Sequence, residues 1–540
     1  MTLDYRRSQG SCTLEKFLST ETLIIELLLI ASLVAIAVQR LRIPYTVALV
    51  VVGLLITFQS PVQVELTPEL ILALFVPPLV FEAAFHLNLY ELRRNLSAIL
   101  LLAVPGVVIT TFVVGGIVSL GTPLSLPNAL LFGAMIAATD PVAVVALFRS
   151  LGVPKRLTVL IEGESLVNDG TAIVIFNLIL AFALTGHFDL AEGIASFIRV
   201  SLGGLVVGAV LGWIISRMIA RVDDYLIETT LTTVLAFGSY LVAEQLHFSG
   251  VLAVVAAGLV NGNIGPQGMS PTTRIVLFNF WEYVAFLANS LVFLLIGLDV
   301  NIPALVASWL SIAWAVGAVL IARVIIVYII SWLVNRLADP IPVSWQHVLY
   351  WGGLRGAICL ALVLSLPLNF GAAERELLRV MAFGVVLFTL LVQSTTMRFL
   401  IRRLKIIARG PAQLEYETRH ARLTALRAAE RHLDRRHREG LISTHTWERI
   451  KQDLGLQIAE LTDSVREVLR AEPELETEEL DAAWQEVLRA QRSALSGLQR
   501  EGVISDEVYD KLAVEVDTAL EEKRYPAPSL TNHSLHYDDE

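Results

Sequence analysis

Two cysteines in 540 residues, Cys12 and Cys359, give no basis for a disulfide scaffold. Neither belongs to a CxxC pair, so thiolate metal sites and dithiol redox motifs are unsupported as well. Charge is also scarce. Only 17% of residues are charged, against about 25% in a soluble globular chain. The formal net charge is −10, the wrong sign for a nucleic-acid partner. Apolar residues fill the gap: 55% of the chain is hydrophobic and the mean hydropathy is +0.64. That composition excludes a single ordinary soluble enzyme and a disordered chain.

The apolar residues are not spread evenly. Up to Ile401 they form successive long stretches; from Arg402 the chain is charged and holds no run of spanning length. A bilayer crossing needs about 20 mostly apolar residues. Thirteen candidates are centred near residues 30, 50, 77, 108, 137, 170, 206, 234, 255, 288, 320, 356 and 389. Asp4, Glu15 and Glu21 precede the first, and no small-residue cleavage site follows it, so it reads as a retained helix. The basic residues test the count. Alternate loops hold Arg40 and Arg42, Arg93 and Arg94, Arg149 with Lys155 and Arg156, Arg217 and Arg221, Arg274, and Arg336. Arg402, Arg403 and Lys405 follow the last span, and Arg375 and Arg379 are the exceptions to the alternation. Cytoplasmic loops carry the excess of Lys and Arg, so the N-terminus is predicted outside and the C-terminus in the cytoplasm, as an odd number of spans requires.

The expected organisation is an all-α membrane protein: an extracellular segment over 1–20, a transmembrane domain over 21–401, a cytoplasmic helical domain over 402–525 and a disordered end over 526–540. The helical domain contains a repeat. Arg438-Glu439-Gly440-Leu441-Ile442-Ser443 recurs as Arg500-Glu501-Gly502-Val503-Ile504-Ser505, with Trp447 and Tyr509 at matching offsets. Glycine suits a helix C-terminus and serine the next N-cap, so each copy predicts a helical hairpin.

Ionisable residues placed mid-span carry the chemistry, because each costs about 2.5–3.5 kcal/mol to insert alone. They are Glu82, Asp140, Glu164, Asp169, Arg323 and Arg355. In Glu162-Gly163-Glu164-Ser165-Leu166-Val167-Asn168-Asp169-Gly170-Thr171, helical spacing puts Ser165 and Asp169 on one face and Glu164 and Asn168 on the next. Hard oxygen donors of this kind suit a small cation. The plain alternative for Ser165 and Asn168 is polar glue between helices. Pro141 in Ala138-Thr139-Asp140-Pro141 predicts an unwound fifth span, and the glycines of Gly352-Gly353-Leu354-Arg355-Gly356-Ala357 an unwound twelfth. Interrupted spans in corresponding positions of two halves point to a transporter site, and an offset of seven spans inverts the halves. Asp140 is expected against half-helix N-termini and Arg355 against C-termini. Arg323 needs a buried counter-ion; Glu164 is the first candidate, Glu82 and Asp169 the rivals. Glu82 follows Pro77-Pro78, and His86 one turn on reads as interfacial, as do Glu228, Glu244, Glu282 and Asp299.

Over residues 20–400 these motifs, in this order, resemble the monovalent cation:proton antiporters of the NhaP/NHE branch. The resemblance implies inverted six-helix repeats with two discontinuous crossing helices, and a homodimer in which a core domain moves against a dimerisation domain. It implies that Asp169 binds the cation and the proton. Ser165 and the Thr139 carbonyl would help coordinate the ion, and Glu82 would complete the site directly or through water. Glu164 and Arg323 would pair, while Asp140 and Arg355 balance the helix ends. Asn168 stands where the electrogenic branch has an aspartate, which implies one-for-one exchange. The expectation is therefore a plasma-membrane exchanger of Na+ for H+ needing no cofactor, with Li+ or K+ as alternative cations. A cation channel or sensor would require a carbonyl filter that is absent here. An intramembrane aspartyl protease using Asp140 and Asp169 lacks a GxGD signature and sits badly with two core arginines.

Overall fold

The computed structural model describes residues 25–38, 44–59, 70–186, 189–222, 224–269, 271–367, 370–406, 411–500 and 502–522. The segment 1–20 expected to be extracellular, the end 526–540 expected to be disordered, Cys12, Arg40 and Arg42 lie outside the described residues. Among those described, every regular element is helical. The chain divides into two compact units, Met1–Ile407 and Ala408–Glu540.

In the first unit the helices are α1 (Ile25–Val38), α2 (Tyr45–Gln59), α3 (Val76–His86), α4 (Leu89–Arg94), α5 (Leu96–Gly121), α6 (Leu126–Met135), α7 (Val142–Leu151), α8 (Lys155–Thr185) and α9 (Leu190–Ile219). They continue as α10 (Tyr225–Gln245), α11 (Gly250–Gly268), α12 (Pro271–Leu298), α13 (Ile302–Ala307), α14 (Trp309–Leu337), α15 (Val343–Trp351), α16 (Ala357–Leu364), α17 (Ala372–Phe388) and α18 (Thr395–Arg403). Among the described residues seven helices are long and apolar enough to cross a membrane: α5, α8, α9, α10, α12, α14 and the run from α17 through α18. Wide π-helical turns lead into α3 (Leu70–Phe75) and join α17 to α18 (Thr389–Ser394).

Two interruptions are local in origin. After α6 the backbone leaves the helix and restarts at α7, with Pro141 immediately before it. Proline disfavours helix at the preceding residue and lacks the amide that would continue the ladder. Between α15 and α16 the non-helical stretch is Gly353-Leu354-Arg355-Gly356, where glycine offers least helical preference. Elsewhere small residues bring helices together. A Cβ at Gly208 of α9 would lie 1.9 Å from the Ala253 carbonyl oxygen of α11, and one at Gly262 of α11 would lie 2.1 Å from that of Phe85. α11 is thus clamped between α9 and α3 by backbone contact, the device membrane helices use where lipid supplies no hydrophobic drive.

The second unit is two helical hairpins, α19 (Pro411–Arg438) with α20 (Thr444–Ala471), and α21 (Pro473–Arg500) with α22 (Asp506–Glu522). Each turn is made by its glycine at positive φ, +74° for Gly440 and +70° for Gly502. Backbone bonds from Leu441 to Arg436 and from Val503 to Leu498 close both α19 and α21 in the same way. Ser443 then caps α20 through the Thr446 amide.

Candidate functional site at the crossing of two broken helices

The two interruptions meet. The Asp140 amide donates to the Leu354 carbonyl at 2.9 Å, joining one break to the other. Helix ends leave backbone groups unpaired, donors at the N-terminus and acceptors at the C-terminus. Here side chains of opposite charge meet them. Asp140 Oδ1 accepts from the Val142 amide at the start of α7 (3.0 Å). Arg355 Nη1 donates to the carbonyls of Ala137 and Ala138 just past α6, at 2.9 and 3.0 Å. The Arg355 amide is held by Thr389 Oγ1 in the second π-helical turn (3.1 Å). Gly356 keeps this crossing closed, since a Cβ there would lie 2.1 Å from Asp140 Oδ2.

α8 passes beside the first break and is fastened to it. Ser165 Oγ donates to the Thr139 carbonyl at 2.6 Å. Asn168 makes a double link, its Nδ2 donating to Thr139 Oγ1 (2.6 Å) and its Oδ1 accepting from the Thr139 amide (3.3 Å). Asp169, 8% exposed, is different: among the described residues it makes no hydrogen bond and no ion pair. It lines a cavity of about 80 Å³ together with Thr139, Asp140 and Ser165. A single water needs about 10–15 Å³ on this measure, so the cavity has room for a small cation.

A second fastening lies on the neighbouring face of α8. Arg323 of α14 forms a two-pronged pair with Glu164, one prong being Nη2 to Oε2 at 3.0 Å. Its Nε and Nη2 also donate to the Leu349 carbonyl of α15, at 3.2 and 2.9 Å. Both charges are buried and paired, as burial demands. Gly353 makes room for the guanidinium: a Cβ there would lie 2.8 Å from Arg323 Nε.

Glu82 lies on α3 but does not line the Asp169 cavity. It faces a larger cavity of about 580 Å³ beside it, along with Glu162, Glu282, Arg149 and Arg398. There His86 Nδ1 lies 2.9 Å from the Glu82 main-chain carbonyl and 3.3 Å from its carboxylate, one turn along the same helix. Glu228, read as interfacial, is fully buried in the first turn of α10. Some cavity residues had no role in the sequence reading. Glu162 and Asn289 line both cavities. Glu162 had a signal, since it shares a face of α8 with Ser165 and Asp169. Asn289 had a weaker one, as a lone amide within the apolar run Phe286-Leu287-Ala288-Asn289-Ser290-Leu291-Val292.

A membrane-spanning helical bundle with two interrupted helices crossing beside a buried, unpartnered carboxylate has the architecture of a secondary transporter. Comparison with known proteins makes the class specific. The chain belongs to the sodium/hydrogen exchanger family, whose transmembrane profile matches residues 27–403. It is 45% identical over 397 residues to the Na+/H+ antiporter ApNhaP of Aphanothece halophytica, covering 73% of this chain and 76% of that protein. It is 38% identical to the low-affinity Na+/H+ antiporter NhaS1 of Synechocystis, covering 86% of this chain and 90% of the relative. Among solved structures, the sodium proton antiporter MjNhaP1 of Methanocaldococcus jannaschii matches with a TM-score of 0.59 at 20% identity, covering 71% of this chain and 97% of that one. That match supports the fold.

Proposed function

We propose that this chain exchanges Na+ for H+ across the plasma membrane at Asp169, one ion for one proton. The observation that carries this reading is the isolation of Asp169. Every other intramembrane charge at the crossing is committed, Asp140 and Arg355 to helix ends and Glu164 to Arg323. A carboxylate shielded from water favours whichever partner neutralises it, a proton or a cation. Proton and Na+ therefore compete for one group, and each must leave before the other binds. Exchange follows if only a neutralised site can change faces.

Ser165 and Thr139 complete the ligand set. The Ser165 proton is engaged by the Thr139 carbonyl, so the lone pairs of Oγ remain for the cation. The Thr139 carbonyl oxygen has a second lone pair to offer. Glu82 acts from the larger cavity, through water. Asn168 does not titrate and its amide is spent on Thr139, which leaves one exchangeable proton per cycle. Names of the relatives favour sodium over potassium.

The crossings number thirteen in this reading: the seven long helices, α1, α2, the run through α3, α11, and two broken crossings made of α6 with α7 and α15 with α16. The two broken crossings are the fifth and twelfth, which relates the halves as inverted six-helix repeats. Basic loops place the N-terminus outside and the C-terminus in the cytoplasm. Only 11% of the most apolar stretch of α9 is buried in its own unit, against 56% for α5, so this face is free for lipid or for a second copy in a homodimer.

The test is proton release from everted membrane vesicles with an imposed pH gradient, read by fluorescence dequenching on adding Na+ or K+ separately. Wild type should respond to Na+. Asp169→Asn should insert and fold yet lose the response entirely. A normal sodium response in that variant overturns the assignment.

A further inference from the structure

The small cavity at Asp169 and the larger cavity share a neck. Leu79, Ala83, Pro141, Val142, Glu162 and Asn289 line both. Four of these are apolar, and Glu162 is the only charge among them. Glu162 and Asp169 stand two turns apart on one face of α8, with Ser165 between. That spacing is ~10 Å along the axis. One end of this stripe is the buried, unpartnered Asp169, and the other opens on the wide cavity.

Glu162 is weakly tethered. Its Oε1 meets Arg149 Nη2 at 3.4 Å, and among the described residues Oε2 has no partner. The Glu162 side chain is 14% exposed and that of Arg149 58%. A contact this long with an exposed guanidinium is readily exchanged for another cation. The other charged groups lining the wide cavity are Glu82, Glu282 and Arg398. Glu82 and Glu282 line only the wide cavity, so Glu162 is the carboxylate poised over the neck.

We propose that Glu162 is a staging ligand for the transported cation. It receives Na+ from the wide cavity, displacing Arg149, and passes it through the neck to Ser165 and Asp169. Arg149 competes for the same carboxylate, keeping the stage weak enough for the cation to move on. This rests on the exchange reading given above, and it assigns to Glu162 a role in access to the site.

Initial rates in everted vesicles at fixed pH, as a function of Na+ concentration, test it. Glu162→Gln should raise the half-saturating Na+ concentration about tenfold at low ionic strength, at the lower end of electrostatic steering effects of 10–10³. Its maximal rate should stay within about twofold, since steering acts on capture. Glu162→Asp should restore most of the wild-type value. Arg149→Gln should shift half-saturation the other way, to lower Na+. Choline chloride should shrink both shifts by screening. An unchanged half-saturation in Glu162→Gln, or a fallen maximal rate with half-saturation intact, overturns the proposal. If Glu162→Gln does not insert, Arg149→Gln decides: an unchanged or raised half-saturation overturns it. Wild type that fails to exchange at all defeats the exchange reading itself, whereas exchanging wild type with indifferent variants defeats only the staging role.

Discussion

Asn168 and Asp169 are neighbours on α8 with opposite fates. The amide spends both its donor and its acceptor on Thr139, while the carboxylate next to it has no hydrogen bond or ion pair among the described residues. Two turns of sequence therefore contain both the clamp that holds the broken helix and the carboxylate proposed to exchange ions. The same division of labour explains Glu164. By taking up Arg323 it commits that guanidinium to a fixed partner on the neighbouring face of α8. This predicts a measurable coupling. Breaking a buried pair strands a charge at a cost of about 3–5 kcal/mol, whereas removing both partners costs much less. Glu164→Ala and Arg323→Ala should each lower thermal stability in detergent, and the double variant should be more stable than the two losses added together. Contacting residues typically couple by about 0.5–3 kcal/mol. Strict additivity in the cycle would show that the pair does not act as one.

Elements in this protein begin and end for local reasons, and the α19–α20 hairpin shows how a turn is pinned. Gly440 supplies the positive φ, and across the turn Asp434 accepts from Trp447 Nε1 at 2.8 Å and from Lys451 Nζ at 3.1 Å. His437 stacks on the Trp447 ring, with centroids 4.6 Å apart. The hydrogen bond from Trp447, followed by that from Lys451, holds the Asp434 carboxyl below the usual carboxylate range. A carboxyl depressed on folding stabilises the fold above its unfolded value of about 3.9 and loses that contribution as pH falls through the folded value. Hydrogen exchange across the turn should therefore be faster in Asp434→Asn than in wild type at pH 7. The two should draw together as pH falls below about 3.9 toward the depressed folded value. A difference that persists undiminished to pH 3 would assign the protection to packing of His437 on Trp447 alone.

For the whole molecule the decisive quantity is the charge moved per cycle. With Asp169 as the single titrating ligand, Na+ in one direction and H+ in the other leave no net charge transferred. One elementary charge crossing 100 mV is worth about 2.3 kcal/mol, enough to change a charge-moving step strongly. Sodium-driven proton release should therefore stay within about twofold when potassium and valinomycin set the membrane voltage across that range. A steep voltage dependence would mean that a second carboxylate titrates, and Glu82 and Glu162 are the ones closest to the ion's route.

The local features of this protein were legible in the sequence, and its long-range partnerships were not. Long apolar runs read as helices because a backbone in lipid must satisfy its own hydrogen bonds. Pro141 and the glycines of 352–356 read as interruptions because they act on their own backbone. The oxygen-rich face of α8 followed from helical periodicity alone. Which faces meet is another matter, since packing joins residues far apart in the chain. Sequence alone left Arg323 with three possible partners; the packing of α14 against α8 brings it to Glu164. The packing around α3 leaves Glu82 on the wide cavity and outside the pocket of Asp169. Glu228 is buried although it sits at a helix end. The neck, with Glu162 and Asn289 contributed by α8 and α12, exists only because those helices converge on α3 and on the first break. Periodicity determines which residues share a face, and only the three-dimensional meeting of those faces decides what each one touches.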